Sequence, residues 1–112
     1  MKSMEGLLGS ALSKEGCRVR LTRERWSHIV ESHDYLAGLH EWVLETIGDP
    51  DAVCAGWEGT LTATRFYPKT PITEKHMVVV FRERVEGDGF VITAFMTSRA
   101  EKVWQRGMLW QR

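Results

Sequence analysis

The chain has 112 residues, of which 43% are hydrophobic and 27% charged, and its 15 Lys and Arg balance its 15 Asp and Glu. This length suits one domain with a single core, and the composition excludes a wholly disordered or collagen-like chain. The longest unbroken apolar run, residues 77–81, is far shorter than the roughly 20 residues that a membrane helix needs. We therefore expect no membrane partner.

The zero net charge is the sum of unequal segments. Residues 1–33 carry a net charge of +2, residues 34–60 a net charge of −6 with no Lys or Arg, and residues 61–112 a net charge of +4. Such asymmetry is more informative than the total, because phosphate binding is driven by local basic side chains. It predicts a positive surface where the first helix meets the late strands.

The two cysteines, Cys17 and Cys54, are too few for the disulfide framework of a small secreted domain. The first 16 residues contain only a short apolar patch, interrupted by Gly and Ser, which is unlike the core of a signal peptide. We expect residues 1–16 to form a flexible leader and residues 17–112 a single α+β domain. The reducing cytoplasm is the expected location.

The first predicted elements are a short strand and two helices. Residues 17–21 alternate polar and apolar side chains, which indicates a half-buried strand. An apolar stripe at i, i+3, i+4 and i+7 that begins at Trp26 predicts a helix over residues 23–33. A second stripe begins at Leu36, and Pro50 prevents any continuation of that helix.

After the second helix the apolar period becomes two, which indicates strands. A Gly-containing turn at residues 86–89 predicts a hairpin, and residues 98–112 suit a short helix or an edge strand. The strands are predicted at residues 52–57, 60–67, 76–85 and 90–97. The expected fold is α+β, with two N-terminal helices packed on one face of a four- to five-stranded antiparallel sheet and the other face free to bind.

The histidines and cysteines lack the spacing of a metal site. Zinc-binding helices place ligands at i and i+4, whereas His28 and His33 are five residues apart, and neither cysteine belongs to a C-x-x-C pair. The chain also has no G-x-S-x-G, P-loop or G-x-G-x-x-G motif. We expect neither a metal nor a cofactor.

Histidine, arginine and hydroxyl side chains remain, and these suffice for metal-free cleavage of RNA, whose own 2′-OH is the nucleophile. The candidates are His28 and His33 on the first helix, with Arg65 and Thr93 on strands. Each also has a structural interpretation. His33 would be a core residue, His28 a surface residue, Arg65 a solvated cross-strand partner and Thr93 an ordinary strand residue.

Several segments occur in an order that is more specific than any one of them. They are LTRERWSHIVESH at 21–33, GDPD at 48–51, RFY at 65–67, MVVV at 77–80 and GFVITAF at 89–95. As an ordered set they resemble small phage- and mobile-element-borne proteins of the barnase–EndoU–colicin–RelE-like (BECR) nuclease superfamily. The resemblance covers roughly residues 18–99, and it departs at Asp34 and Tyr35, where relatives more often carry a proline.

The resemblance implies two helices on a four-stranded antiparallel sheet and a metal-independent ribonuclease activity, often used as a toxin. By position it implies catalytic roles for His33, His28, Arg65 and Thr93. Ser98 and Arg99, which follow the closing strand, would bind the substrate.

The hypothesis is a toxin-like endoribonuclease that leaves 2′,3′-cyclic phosphate ends, acting as a monomer or weak homodimer. RNA and an antitoxin or immunity-type protein would be its partners. The alternative is a non-catalytic RNA- or protein-binding module of the same fold, such as a phage-associated or antitoxin-bound protein. An enzyme requires His33, Arg65 and Thr93 to converge on one phosphate. Imidazoles packed against Trp26, with Arg65 paired to a carboxylate, would favour the alternative.

Overall fold

The computed structural model describes residues 6–84 and 86–112. Within these residues one sheet contains seven strands: β1 (Leu7–Leu12), β2 (Arg18–Thr22), β3 (Ala52–Ala55), β4 (Leu61–Phe66), β5 (His76–Glu83), β6 (Asp88–Thr97) and β7 (Met108–Gln111). Three helices accompany it: α1 (Arg23–Ser32), α2 (His40–Gly48) and α3 (Ala100–Trp104). The spatial order of the strands is β1-β2-β6-β5-β4-β3-β7.

The expected fold class is wrong in three respects. The sheet is larger than four or five strands, it is mixed because β2 pairs with β6 in parallel, and α3 lies near the C-terminal end of the chain. The additional strands β1 and β7 lie at the two edges of the sheet. Strand β7 agrees with the edge strand that residues 98–112 allow, whereas β1 was not expected, because its sequence, LLGSAL, lacks a clear period-2 pattern.

Residues Leu7–Leu12 of the expected leader form the strand β1. This strand pairs antiparallel with β2, for example Ser10 with Arg20. A Cβ on Gly9 would lie 2.6 Å from Cδ1 of Leu44, so glycine allows α2 to approach β1 closely. Residues 1–5 of the expected leader, and Val85 of the strand expected at residues 76–85, lie outside the described residues.

The two faces of the sheet differ in what covers them. Helices α1 and α2 pack on one, which we call the helical face, and α3 lies on part of the other, which we call the open face. On the open face Val103 packs against Cys54 and Val78, and Nε1 of Trp104 donates to Oγ1 of Thr64 at 3.1 Å. Strand residues buried on the helical face include Val19, Leu21, Ala63, Met77, Val79, Phe81 and Ala94.

Helix α1 begins where the sequence predicts. The backbone of Thr22 is extended, and its side-chain oxygen accepts a hydrogen bond from the N–H of Arg25 at 3.1 Å, which caps the helix. Because Thr22 is also the last residue of β2, strand and helix join without a loop. No helix of the described ranges, 6–84 and 86–112, is long and apolar enough to cross a membrane.

Candidate active-site cleft between α1 and β6

The cleft arises because β6 is longer than its parallel neighbour. Strand β2 pairs with β6 from Arg18 opposite Asp88 to Arg20 opposite Phe90 and then continues as α1. Beyond Phe90, α1 therefore packs beside β6 in place of a strand. A cleft of about 450 Å³ lies between them, and its polar lining consists of Arg25, His28, Glu31, Ser32, His33 and Thr93.

A tyrosine fixes the ring of His33, the C-cap residue of α1. Oη of Tyr35 lies 3.3 Å from Nδ1 of His33 and accepts the N–H of Met96, on β6, at 3.2 Å. Since a phenol oxygen accepts and donates, this arrangement suits either neutral tautomer of the imidazole. Among the residues that the structure describes, Nε2 of His33 has no hydrogen-bond partner, so it is the nitrogen available for a ligand.

A bulge in β6 forms the opposite wall of the cleft. Val80 pairs with Thr93 and Phe81 with Val91, so Ile92 is an extra residue in β6. Both Ile92 and the half-buried Thr93 line the cleft as a result. Bulges often reorient a side chain beside a functional site, and this one brings the Thr93 hydroxyl group to the same cleft as His33.

His28 and Arg25 supply the exposed part of the cleft. They are three residues apart on α1 and therefore lie on adjacent turns of one helix face. The His28 side chain is 59% exposed, and its Nδ1 lies 3.8 Å from a carboxylate oxygen of Glu31. The cleft thus combines two imidazoles, one guanidinium, one carboxylate and the hydroxyl groups of Ser32 and Thr93.

Arg65 is not brought to this cleft. Its Nη1 donates to the carbonyl oxygen of Asp49 at 2.6 Å and to Oδ2 of the same residue at 3.1 Å, and its Nη2 lies 3.7 Å from Oε2 of Glu45. Arg65 pairs with Met77, whose side chain belongs to the core of the helical face, so strand alternation directs Arg65 toward α2. Its contacts fasten the C-terminal end of α2 to the sheet.

Ser98 and Arg99 lie between β6 and α3, and both are exposed. The N–H of Arg99 donates to Oγ1 of Thr97 at 3.0 Å, and neither Ser98 nor Arg99 lines the cleft. Of the predicted site residues, the structure therefore brings together His28, His33 and Thr93 only.

Sequence reasoning missed two contributors to the site. Arg25 could have been predicted from the sequence, since it precedes His28 by three residues and must share its helix face. The role of Tyr35 could not have been predicted, because it depends on contact with Met96, 61 residues away in the chain.

In the described ranges, no three His, Cys, Asp or Glu side chains are grouped so that they could hold a metal ion.

Comparison of the chain with protein-family models, with curated proteins and with solved structures finds no match. The resemblance to BECR nucleases therefore stays a prediction from the sequence, and the function must be argued from the geometry of the cleft.

Proposed function

We propose that the protein is a metal-independent endoribonuclease that binds and cleaves RNA in the cleft between α1 and β6. The observation that carries this proposal is the presence of His33, His28 and Arg25 in one solvent-accessible cleft, opposite the hydroxyl of Thr93. Two imidazoles supply a general base and a general acid, and a guanidinium stabilises negative charge on phosphorus.

The reaction is an attack of the RNA 2′-oxygen on the adjacent phosphorus. A base removes the 2′-OH proton as the bond from the 2′-oxygen to phosphorus forms, and an acid gives a proton to the 5′-oxygen as its bond to phosphorus breaks. The products are a 2′,3′-cyclic phosphate and a free 5′-OH. Because the nucleophile belongs to the substrate, the protein supplies only acid, base and positioning.

The hydrogen bonds of the two histidines support separate roles. Tyr35 holds Nδ1 of His33 and leaves Nε2 for the substrate, which suits a base whose orientation is fixed. His28 is more exposed and lies near Glu31, so it suits the acid that protonates the leaving oxygen. Arg25, on the adjacent turn, would bind the phosphate. Thr93 would donate its hydroxyl proton to a phosphate oxygen.

One observation favours the non-catalytic alternative. Arg65, which the resemblance assigns to catalysis, is paired with Asp49 and Glu45, so the expected convergence of His33, Arg65 and Thr93 is incomplete. The position of Trp26 does not favour the alternative. Its ring contacts the ring of His40, 6.0 Å away from centroid to centroid, rather than either imidazole of the cleft. A binding module would use the same cleft without turnover.

Cleavage of total RNA in the presence of EDTA, with and without ribosomes, tests the proposal. We expect fragments with 2′,3′-cyclic phosphate ends, and a loss of at least about 100-fold in rate for His33→Ala and for His28→Ala. His40→Ala is the matched control, because it removes an imidazole that does not line the cleft. If the wild-type protein cleaves no faster than His33→Ala, the enzymatic proposal fails and the binding module is favoured.

The proposal includes the cytoplasm as the location and RNA as the partner, with an antitoxin or immunity-type protein as inhibitor if the nuclease is toxin-like. Support for a reducing compartment comes from the two free, buried cysteines. Burial raises the pKa of both the Cys17 and Cys54 thiols, which disfavours the reactive thiolate.

A further inference from the structure

A second groove lies on the open face of the sheet, outside the cleft of the proposed reaction. Its volume is about 290 Å³, and its lining includes Asp51, His76, Trp104, Met108, Gln111 and Arg112. It is formed where the first residue of β5 meets α3 and β7. None of its lining residues belongs to the cleft between α1 and β6.

Two aromatic rings, of His76 and Trp104, line this groove, and a third, of Phe66, lies beside it in contact with His76. The His76 ring lies 5.3 Å from the Phe66 ring and 5.9 Å from the Trp104 ring, centroid to centroid. Phe66 is 47% exposed, so its ring is accessible to a ligand beside the groove. Exposed aromatic surface of this kind is what proteins use to stack unpaired bases of single-stranded nucleic acid.

The polar groups of the groove suit a neutral planar ring better than a phosphate. Arg112 is the cation of the lining, and it already donates hydrogen bonds to Asp49 at 2.5 Å and to Asp51 at 3.3 Å. By contrast, no described residue makes a hydrogen bond to the ring nitrogens of His76 or the side-chain amide of Gln111. An imidazole and an amide offer donors and acceptors to the edge of a base.

Phe95 lies between the groove and the cleft. His76 pairs with Thr97 of β6, and Phe95, two residues earlier on the same face, has its ring 6.0 Å from that of His33. A diagonal neighbour on adjacent strands is separated by about 7–8 Å, so Phe95 spans the interval between the two sites. A single strand of RNA bound at His33 could therefore continue over Phe95 toward His76.

We propose that this groove binds one unstacked base of single-stranded RNA, held against His76 in its lining and against Phe66 beside it. The assignment of RNA as the ligand rests on the proposed function, whereas base binding itself needs no cleavage. Duplex RNA is excluded from the groove, because its paired bases present no free face to an aromatic ring.

Binding of an uncleavable single-stranded 2′-O-methyl RNA, followed by fluorescence anisotropy, tests the proposal. We expect Phe66→Ala to weaken binding roughly tenfold and Phe66→Trp to preserve it. Trp57→Ala is the matched control, since Trp57 is 56% exposed like Phe66 but, unlike Phe66, is not in ring contact with a residue that lines the groove. Equal affinity of Phe66→Ala and the wild-type protein, or no binding by the wild-type protein, overturns the proposal.

A second measurement keeps the test valid if Phe66→Ala does not fold. Titration of the wild-type protein with a nucleoside monophosphate should shift the NMR resonances of the His76 ring more than those of His40, and the absence of such a shift counts against the groove.

Cleavage assays distinguish failure of the groove proposal from failure of the nuclease proposal. If the wild-type protein cleaves RNA and Phe66→Ala binds it with unchanged affinity, the nuclease proposal is supported and the groove proposal is refuted. If binding depends on Phe66 but no cleavage occurs, the groove proposal is supported and the nuclease proposal is refuted.

Discussion

The hydroxyl oxygen of Tyr35 lies 3.3 Å from Nδ1 of His33, and the same oxygen accepts the N–H of Met96. A backbone group at the edge of β6 is thus satisfied by a side chain that also orients an imidazole of the cleft. One tyrosine therefore satisfies a backbone group of β6 and orients a side chain of the candidate site.

The first prediction concerns this tyrosine. Tyr35→Phe removes the acceptor of the Met96 N–H, and we expect the free energy of unfolding to fall by about 1–3 kcal/mol. If His33 acts as proposed, RNA cleavage by the folded variant should also decrease, because the ring is no longer held. Urea denaturation and a cleavage assay at matched folded concentration measure the two effects. Unchanged stability would show that this hydrogen bond contributes little.

The second prediction separates Arg65 from the cleft. Arg65→Gln should lower the free energy of unfolding by about 1 kcal/mol, the typical contribution of a hydrogen bond such as the one to the Asp49 carbonyl. The same variant should cleave RNA at the wild-type rate once folded. His33→Ala should have the opposite profile, with loss of cleavage and little loss of stability. A large decrease in cleavage by folded Arg65→Gln would restore the catalytic role that the resemblance assigns.

The third prediction concerns the hydroxyl of Tyr67, which donates to Oε1 of Glu45 at 2.6 Å while its ring stacks on Trp42 at 4.3 Å. Burial, with the Glu45 hydrogen bond, raises the pKa of Tyr67 far above its usual value of about 10. The unfolded chain therefore loses this proton at a lower pH than the folded protein does. The contribution of the Tyr67 hydroxyl to stability is fully present below about pH 10 and declines as the pH rises further. We expect a weaker decline in Tyr67→Phe, measured by denaturation between pH 8 and about 11. Equal slopes would contradict this.

The fourth prediction concerns Asp49. The hydrogen bond from Arg112, at 2.5 Å, is the main reason that the pKa of Asp49 lies below its usual value of 3.8. Its contribution to stability is therefore present above that value and lost as the pH falls through the lower pKa of the folded state. In Arg112→Gln we expect the pKa to move back toward 3.8, as followed by carboxyl NMR. Arg18→Gln, which alters a guanidinium bonded to Ser10 instead, is the control.

The fifth prediction concerns Gly89, which pairs with Val19 on one side and Glu83 on the other. A Cβ there would lie 2.4 Å from the carbonyl oxygen of Arg82 and 3.2 Å from Sγ of Cys17. Gly89→Ala should therefore lower the free energy of unfolding by about 1–3 kcal/mol in a denaturant titration. Gly6→Ala is the control, because its Cβ would meet no described atom within 4 Å. Similar stabilities of the two variants would contradict the close approach.

The charge pattern shows what tertiary structure adds to composition. The sequence places six acidic residues and no Lys or Arg in residues 34–60. In the fold, three of those carboxylates, Glu45, Asp49 and Asp51, are paired with Arg65 and Arg112 of the basic last segment. Part of the basic excess therefore neutralises the acidic segment and is not available to RNA.

What the sequence determined by itself was local. The start of α1 at residue 23, its apolar stripe and the three long strands β4, β5 and β6 follow from periodicity and from contacts within a few residues. The tertiary structure alone decided the edge strand β1, the parallel pair of β2 with β6, the carboxylate partners of Arg65 and the bond from Tyr35 to His33. The reason is physical, because which strand or carboxylate becomes a neighbour depends on how distant segments pack, and the local apolar period carries no information about that choice.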